Sequence, residues 1–185
     1  MITDLFDKNI VKVLTLFSIS HGSGFTRNEI KEKTMLNNVP LDIAIQTLLY
    51  NSILVQNKRV FRLNFENKQM KPLLDLVGKE YLRFKELPLN VYVLLLDLSS
   101  AFSGFKNIDN MWLFGSYSKL IYNNRSDVDI AFIFNKKVNK KEIKNKIKSL
   151  EKKYKKVIEE HFFDKKDMTT NDSLIKEIKK NGVII

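Results

Sequence analysis

Two aspartates at the head of an apolar run constrain this chain more than any other feature. In Asp127-Val128-Asp129-Ile130-Ala131-Phe132-Ile133-Phe134 every residue after the second carboxylate is apolar, and the run has the length of one strand. A strand sends alternate side chains to opposite faces, so Asp127 and Asp129 point the same way while Val128 and Ile130 turn into the core. Neighbouring carboxylates repel, and beside such a run they are partly desolvated. A divalent cation resolves that conflict, and hard oxygen ligands at this spacing suit Mg2+ or Mn2+. The bland alternative is a strand start whose aspartates cap a turn.

The residues before this run supply a matching feature. Trp112-Leu113-Phe114-Gly115-Ser116 puts a glycine at the end of a strand and a serine at the start of a helix. A helix N-terminus presents unpaired N–H groups, and Gly115 lets the backbone approach a triphosphate closely. From residue 111 onward strands and helices alternate. Strands are expected at 111–114, 127–134 and 157–163, and helices at 116–121, 139–154 and 173–180, with a terminal apolar piece at 183–185. The lysine-rich helix 139–154 buries Ile143, Ile147 and Leu150.

Gly115-Ser116, ten residues, then Asp127-Val128-Asp129 resembles the signature of the polymerase-beta nucleotidyltransferase superfamily, above all its minimal nucleotidyltransferase group. The closing segment, 174–185, is similar too. The resemblance covers about residues 105–185. It implies in-line attack by an acceptor hydroxyl on the α-phosphate of a nucleoside triphosphate, with divalent metal at Asp127 and Asp129. It further implies a third carboxylate on a later strand, for which Glu159 is the candidate as metal ligand and base. Glu159 and His161 share one strand face, and His161 reads as a substrate contact, a residue behind a ligand, or an ordinary packed histidine. Lys119 stands where many members carry an Arg-Gly pair. Lys119, Arg125 and Ser126 join Gly115 and Ser116 as the nucleotide-binding set. Members of the group often act as antitoxins that modify a partner with the HEPN ribonuclease fold, so a protein acceptor is an expectation.

The N-terminal third reads differently. Apolar positions at Leu5, Phe6, Ile10, Val13, Leu14 and Phe17 have a helical period over 2–18, and His21-Gly22-Ser23-Gly24 ends it. Thr26 and Glu29 form a capping box for a second helix. Pro40 suits the first turn of a third, and two strands follow around Asn57-Lys58. Three short helices and a hairpin resemble a winged helix-turn-helix domain over residues 1–65. The third helix has neither Lys nor Arg, so phosphate contacts fall to Lys58, Arg59 and Arg62 in the wing, with Arg27, Lys31 and Lys33 on the second helix. Duplex binding and protein docking or dimerisation both remain open. Residues 66–104 form a helical connector, broken at Pro88, and 105–185 the transferase domain. The expected fold is α+β, with a mixed C-terminal sheet and helices on one side of it.

Charge and composition set the outer limits. The formal net charge is +11, and residues 135–185 alone carry +8, all on lysine. Such a field favours phosphate-bearing partners, although a solvated lysine-rich helix face has the same composition. The absence of cysteine excludes thiolate metal sites and cysteine nucleophiles. The longest apolar run, 91–96, is far short of a bilayer span. A cytoplasmic protein is expected. Its two candidate roles are a metal-dependent nucleotidyltransferase and a DNA-binding regulator whose transferase half senses nucleotide or is inactive. A homo-oligomer is compatible with either.

Overall fold

The computed structural model describes residues 2, 6–84, 87–136 and 138–185. The chain divides into two compact units, 1–96 and 97–185. No helix among the described residues is long and apolar enough to cross a membrane.

The first unit opens with α1 (Lys8–Ile19). Asp7 Oδ1 accepts from the N–H groups of Asn9 at 2.8 Å and Ile10 at 3.1 Å, so the helix starts at its cap rather than at residue 2. Leu5, one of the apolar positions of the helical pattern, lies outside the described residues. Strand β1 (Phe25–Thr26) leads into α2 (Arg27–Thr34) through the expected capping box. Thr26 N–H donates to Glu29 Oε2 at 2.7 Å, and Glu29 N–H donates back to Thr26 Oγ1 at 3.3 Å. Helix α3 (Asn38–Tyr50) buries Leu41, Ala44, Ile45 and Leu48 and exposes Val39, Ile43 and Tyr50. Strands β2 (Leu54–Asn57) and β3 (Val60–Leu63) pair antiparallel with Asn57 opposite Val60. The turn is therefore Lys58-Arg59, one residue later than its sequence suggests, with Lys58 at φ 54°. The three strands make a sheet of order β1-β3-β2. Helix α4 (Met70–Arg83) packs on α1 and buries Met70, Leu74 and Val77. Helix α5 (Leu89–Phe102) runs across the division between the units.

The second unit is built on a four-stranded mixed sheet, order β6-β5-β4-β7. Its strands are β4 (Ile108–Phe114), β5 (Val128–Phe134), β6 (Ile158–Asp164) and β7 (Val183–Ile184). Between them lie α6 (Gly115–Ser118), α7 (Lys140–Tyr154) and α8 (Ser173–Asn181). Only β5 and β6 are parallel, joined by the crossover through α7. Helices cover both faces of this sheet, not one. On one face Ile175 and Ile178 of α8 pack on Phe114, Ala131 and Ile133. On the other, Lys144 of α7 pairs with Glu160 at 3.1 Å and Phe102 of α5 meets Phe132 edge to face at 5.2 Å. A strand as apolar as β5 requires this, since either bare face would leave large side chains in water. The α7 terminus is fixed by Asp97, whose Oδ2 accepts from Lys153 Nζ at 2.7 Å and Tyr154 OH at 2.5 Å.

Candidate active site

The site forms at one end of the second sheet, where β4 ends and β5 and β6 begin. Phe114, the last residue of β4, lies opposite Asp129, and Asp129 lies opposite Glu159 in the parallel pair. One rung of the sheet therefore carries two carboxylates side by side. His161 is one alternation further along the same face. Ligand atoms of Asp129, Glu159 and His161 all fall within 4.8 Å of one another, and His161 Nε2 is 3.3 Å from Glu159 Oε1.

Gly115 turns the chain directly over this rung. Its φ is +68°, a region that L side chains rarely adopt. A Cβ there would sit 1.9 Å from Asp129 Oδ2. Glycine is thus required twice, by its backbone angle and by the carboxylate pressed against it. The next residue, Ser116, donates its backbone N–H to Asp129. Burial raises the Asp129 carboxyl above its ordinary value and the neighbouring Glu159 charge adds to this, against the pull of His161 and the Ser116 N–H. A carboxylate in that position is poised to gain from a cation. The donor set, two carboxylates and an imidazole at a rung left open to solvent, fits a divalent metal.

The remaining predicted residues are distributed around this centre. Asp127 precedes β5 instead of opening it, is exposed, and is not one of the three clustered donors, though its charge reaches Asp129. The chain ahead of it turns through 123–126, where Ser126 Oγ accepts from Asn123 N–H at 2.9 Å and Arg125 is exposed. Lys119 is drawn to α8 by Glu177, Nζ to Oε1 2.7 Å. The helix expected at 116–121 closes after one turn, and Leu120 is left-handed at φ 59°. Lys58, Arg59 and Arg62 are exposed on the hairpin of the first unit, while Arg27 is held by Asp42 through a two-pronged pair at 2.7 and 2.9 Å.

One residue of this neighbourhood carried no local signal. Lys156 Nζ donates to Tyr117 OH at 2.8 Å, to Asn124 O at 3.1 Å and to Ser126 O at 3.5 Å. A single ammonium thus ties the Gly-Ser turn, the loop before Asp127 and the entry to β6. In a lysine-rich stretch its sequence looks like that of its neighbours; only the fold singles it out. A cavity of about 700 Å³ lined by Ser18, His21, Asp75 and Tyr81 lies in the first unit.

No curated protein matches the chain. Among solved structures, it is similar to a Sulfolobus solfataricus protein described as a candidate nucleotidyltransferase, at 20% identity over 51% of this chain and 75% of that one. The TM-score of 0.30 is too low for that likeness to carry an argument. Residues 97–185, the whole of the second unit, match the family model described as polymerase beta, nucleotidyltransferase.

Proposed function

We propose that this protein transfers a nucleoside monophosphate, AMP from ATP, to a hydroxyl of a protein or small-molecule acceptor. The observation that carries the reading is the fit of Gly115 over Asp129, on a rung shared with Glu159. It puts a glycine turn beside a paired acidic site, inside the segment that matches the transferase family. Gly115 and the Ser116 hydroxyl hold the triphosphate, with Lys119, Arg125 and Ser126 at its margin. Asp127, Asp129 and Glu159 hold Mg2+ or Mn2+, which when bound neutralises phosphate charge. Glu159 takes the proton of the acceptor hydroxyl as that oxygen bonds to the α-phosphorus, and pyrophosphate leaves as the α–β bridge breaks. Labelled ATP, Mg2+ and cell lysate should yield a labelled acceptor with the native protein and none with Asp127→Ala/Asp129→Ala. Failure of any nucleoside triphosphate to bind with metal present would sink the reading. An acceptor of the HEPN type would make the role antitoxin-like, and recovery of a labelled partner from the same reaction tests that.

A second reading is supported by the first unit. Its element order, with a β1-β3-β2 sheet and a hairpin carrying exposed Lys58, Arg59 and Arg62, is the arrangement expected of a winged helix-turn-helix. On that reading the protein binds duplex DNA and its transferase unit senses nucleotide. The exposed Val39, Ile43 and Tyr50 of α3 equally suit docking to a protein or to a second copy. Duplex binding that survives alanine at all three wing cations would count against DNA recognition.

A further inference from the structure

His161 sits differently from the oxygen ligands expected of a magnesium site. Its partner across the parallel pair is Ala131, a methyl side chain, so nothing large opposes the imidazole on that rung. The ring stands edge-on to Phe114, centroids 5.1 Å apart at 70°, and lies nearly parallel to Phe163 at 6.5 Å and 8°. Two aromatic neighbours therefore fix its plane, with Nε2 turned toward Glu159 Oε1 at 3.3 Å. The acidic rung stands above it, and all three donors fall within 4.8 Å. Donors on opposite sides of a divalent cation lie about 4 to 5 Å apart, so one ion reaches all three.

We infer that the cation site of this chain is a mixed nitrogen–oxygen set of Asp129, Glu159 and His161, selective for a first-row transition cation over Mg2+. The inference rests on the metal-dependent reading above, replaces Asp127 by His161 in its ligand set, and thereby refines which cation that site takes. Mg2+ is hard, binds oxygen and holds its water, whereas an imidazole nitrogen favours first-row transition ions, of which Mn2+ is the weakest binder and the paramagnetic probe. Asp127, outside the three donors, is left to the nucleotide side of the site.

The test uses the full-length protein stripped of metal by chelation and titrated with Mn2+ under electron paramagnetic resonance, with Mg2+ as competitor. Bound Mn2+ should show nitrogen-14 modulation in pulsed spectra, and Mg2+ should displace it only at more than about a tenfold excess. His161→Gln should abolish the modulation and weaken Mn2+ binding by about tenfold or more, leaving Mg2+ affinity within a factor of about three. The only other histidine is His21, in the first unit, so loss of the signal identifies the ligand. Bound Mn2+ without nitrogen modulation in the native protein overturns the inference, whatever the variant does. So does an equal loss of both cations in His161→Gln, which would mean that the imidazole only holds Glu159 in place. If no divalent cation binds the native protein, the metal-dependent reading itself falls, an outcome distinct from the other two.

Discussion

At the scale of single residues, Gly115 is the most constrained of the glycines. Any L side chain there meets both a left-handed backbone and the Asp129 carboxylate. The backbone alone costs about 1 to 2 kcal/mol, and the clash moves Asp129 off its rung. Gly115→Ala should therefore lower the melting temperature and cut label transfer about a hundredfold, the penalty of misplacing a reacting group by an ångström. Transfer within a few-fold of the native rate would show that the close packing is incidental. The glycine was legible in the sequence as a residue allowing close approach. What it approaches was not, because Asp129 is fourteen positions away and meets it only through strand pairing.

At the scale of elements, two polar anchors hold the second unit's connections. Lys156 clamps the loop before Asp127, and Lys156→Met keeps its apolar stem while deleting three donors. Faster amide exchange over 122–126, a loss of about 1 kcal/mol and partial rescue by arginine are the expected results. Unchanged exchange would remove the clamp from the account. Tyr154 anchors the end of α7 on Asp97. Its phenol is held far above the ordinary value of 10.0, first by burial and then by the Asp97 charge. Above that pH the unfolded chain ionises while the folded one does not, so the stability it contributes is complete below 10 and is lost as pH rises. Tyr154→Phe should cost about 1 to 2 kcal/mol at neutral pH and flatten the alkaline decline in urea midpoints. A decline as steep as the native one would assign it to other groups.

At the scale of the whole molecule, charge is divided unevenly between the units. The first unit exposes Lys58, Arg59 and Arg62 on its hairpin, and the second holds both the acidic rung and most of the lysine excess. If duplex binding uses the wing, replacing Lys58, Arg59 and Arg62 by alanine should reduce the slope of log affinity against log salt by about 2 to 3. Fluorescence anisotropy at several salt concentrations reads this directly. An unaltered slope would return α3 and its exposed Val39, Ile43 and Tyr50 to a protein-docking role.

Features set by local chain geometry were readable in advance. The Thr26–Glu29 capping box, the hairpin, the Gly-Ser turn and the shared face of Glu159 and His161 all follow from residues a few positions apart. The Asp127–Asp129 pair shows the limit of that logic, since alternation holds only inside a strand and β5 begins at Val128. Which carboxylate stands beside Asp129 is a matter of register between strands thirty residues apart, and a slip of one residue would bring Glu160 there instead. That register is decided by packing: Phe132 and Phe162 on one face, Ala131 beneath His161 on the other, and helices closing both. Local sequence named the chemical groups, and the tertiary fold chose their neighbours, because pairing energy is collected across the sheet and not along the chain.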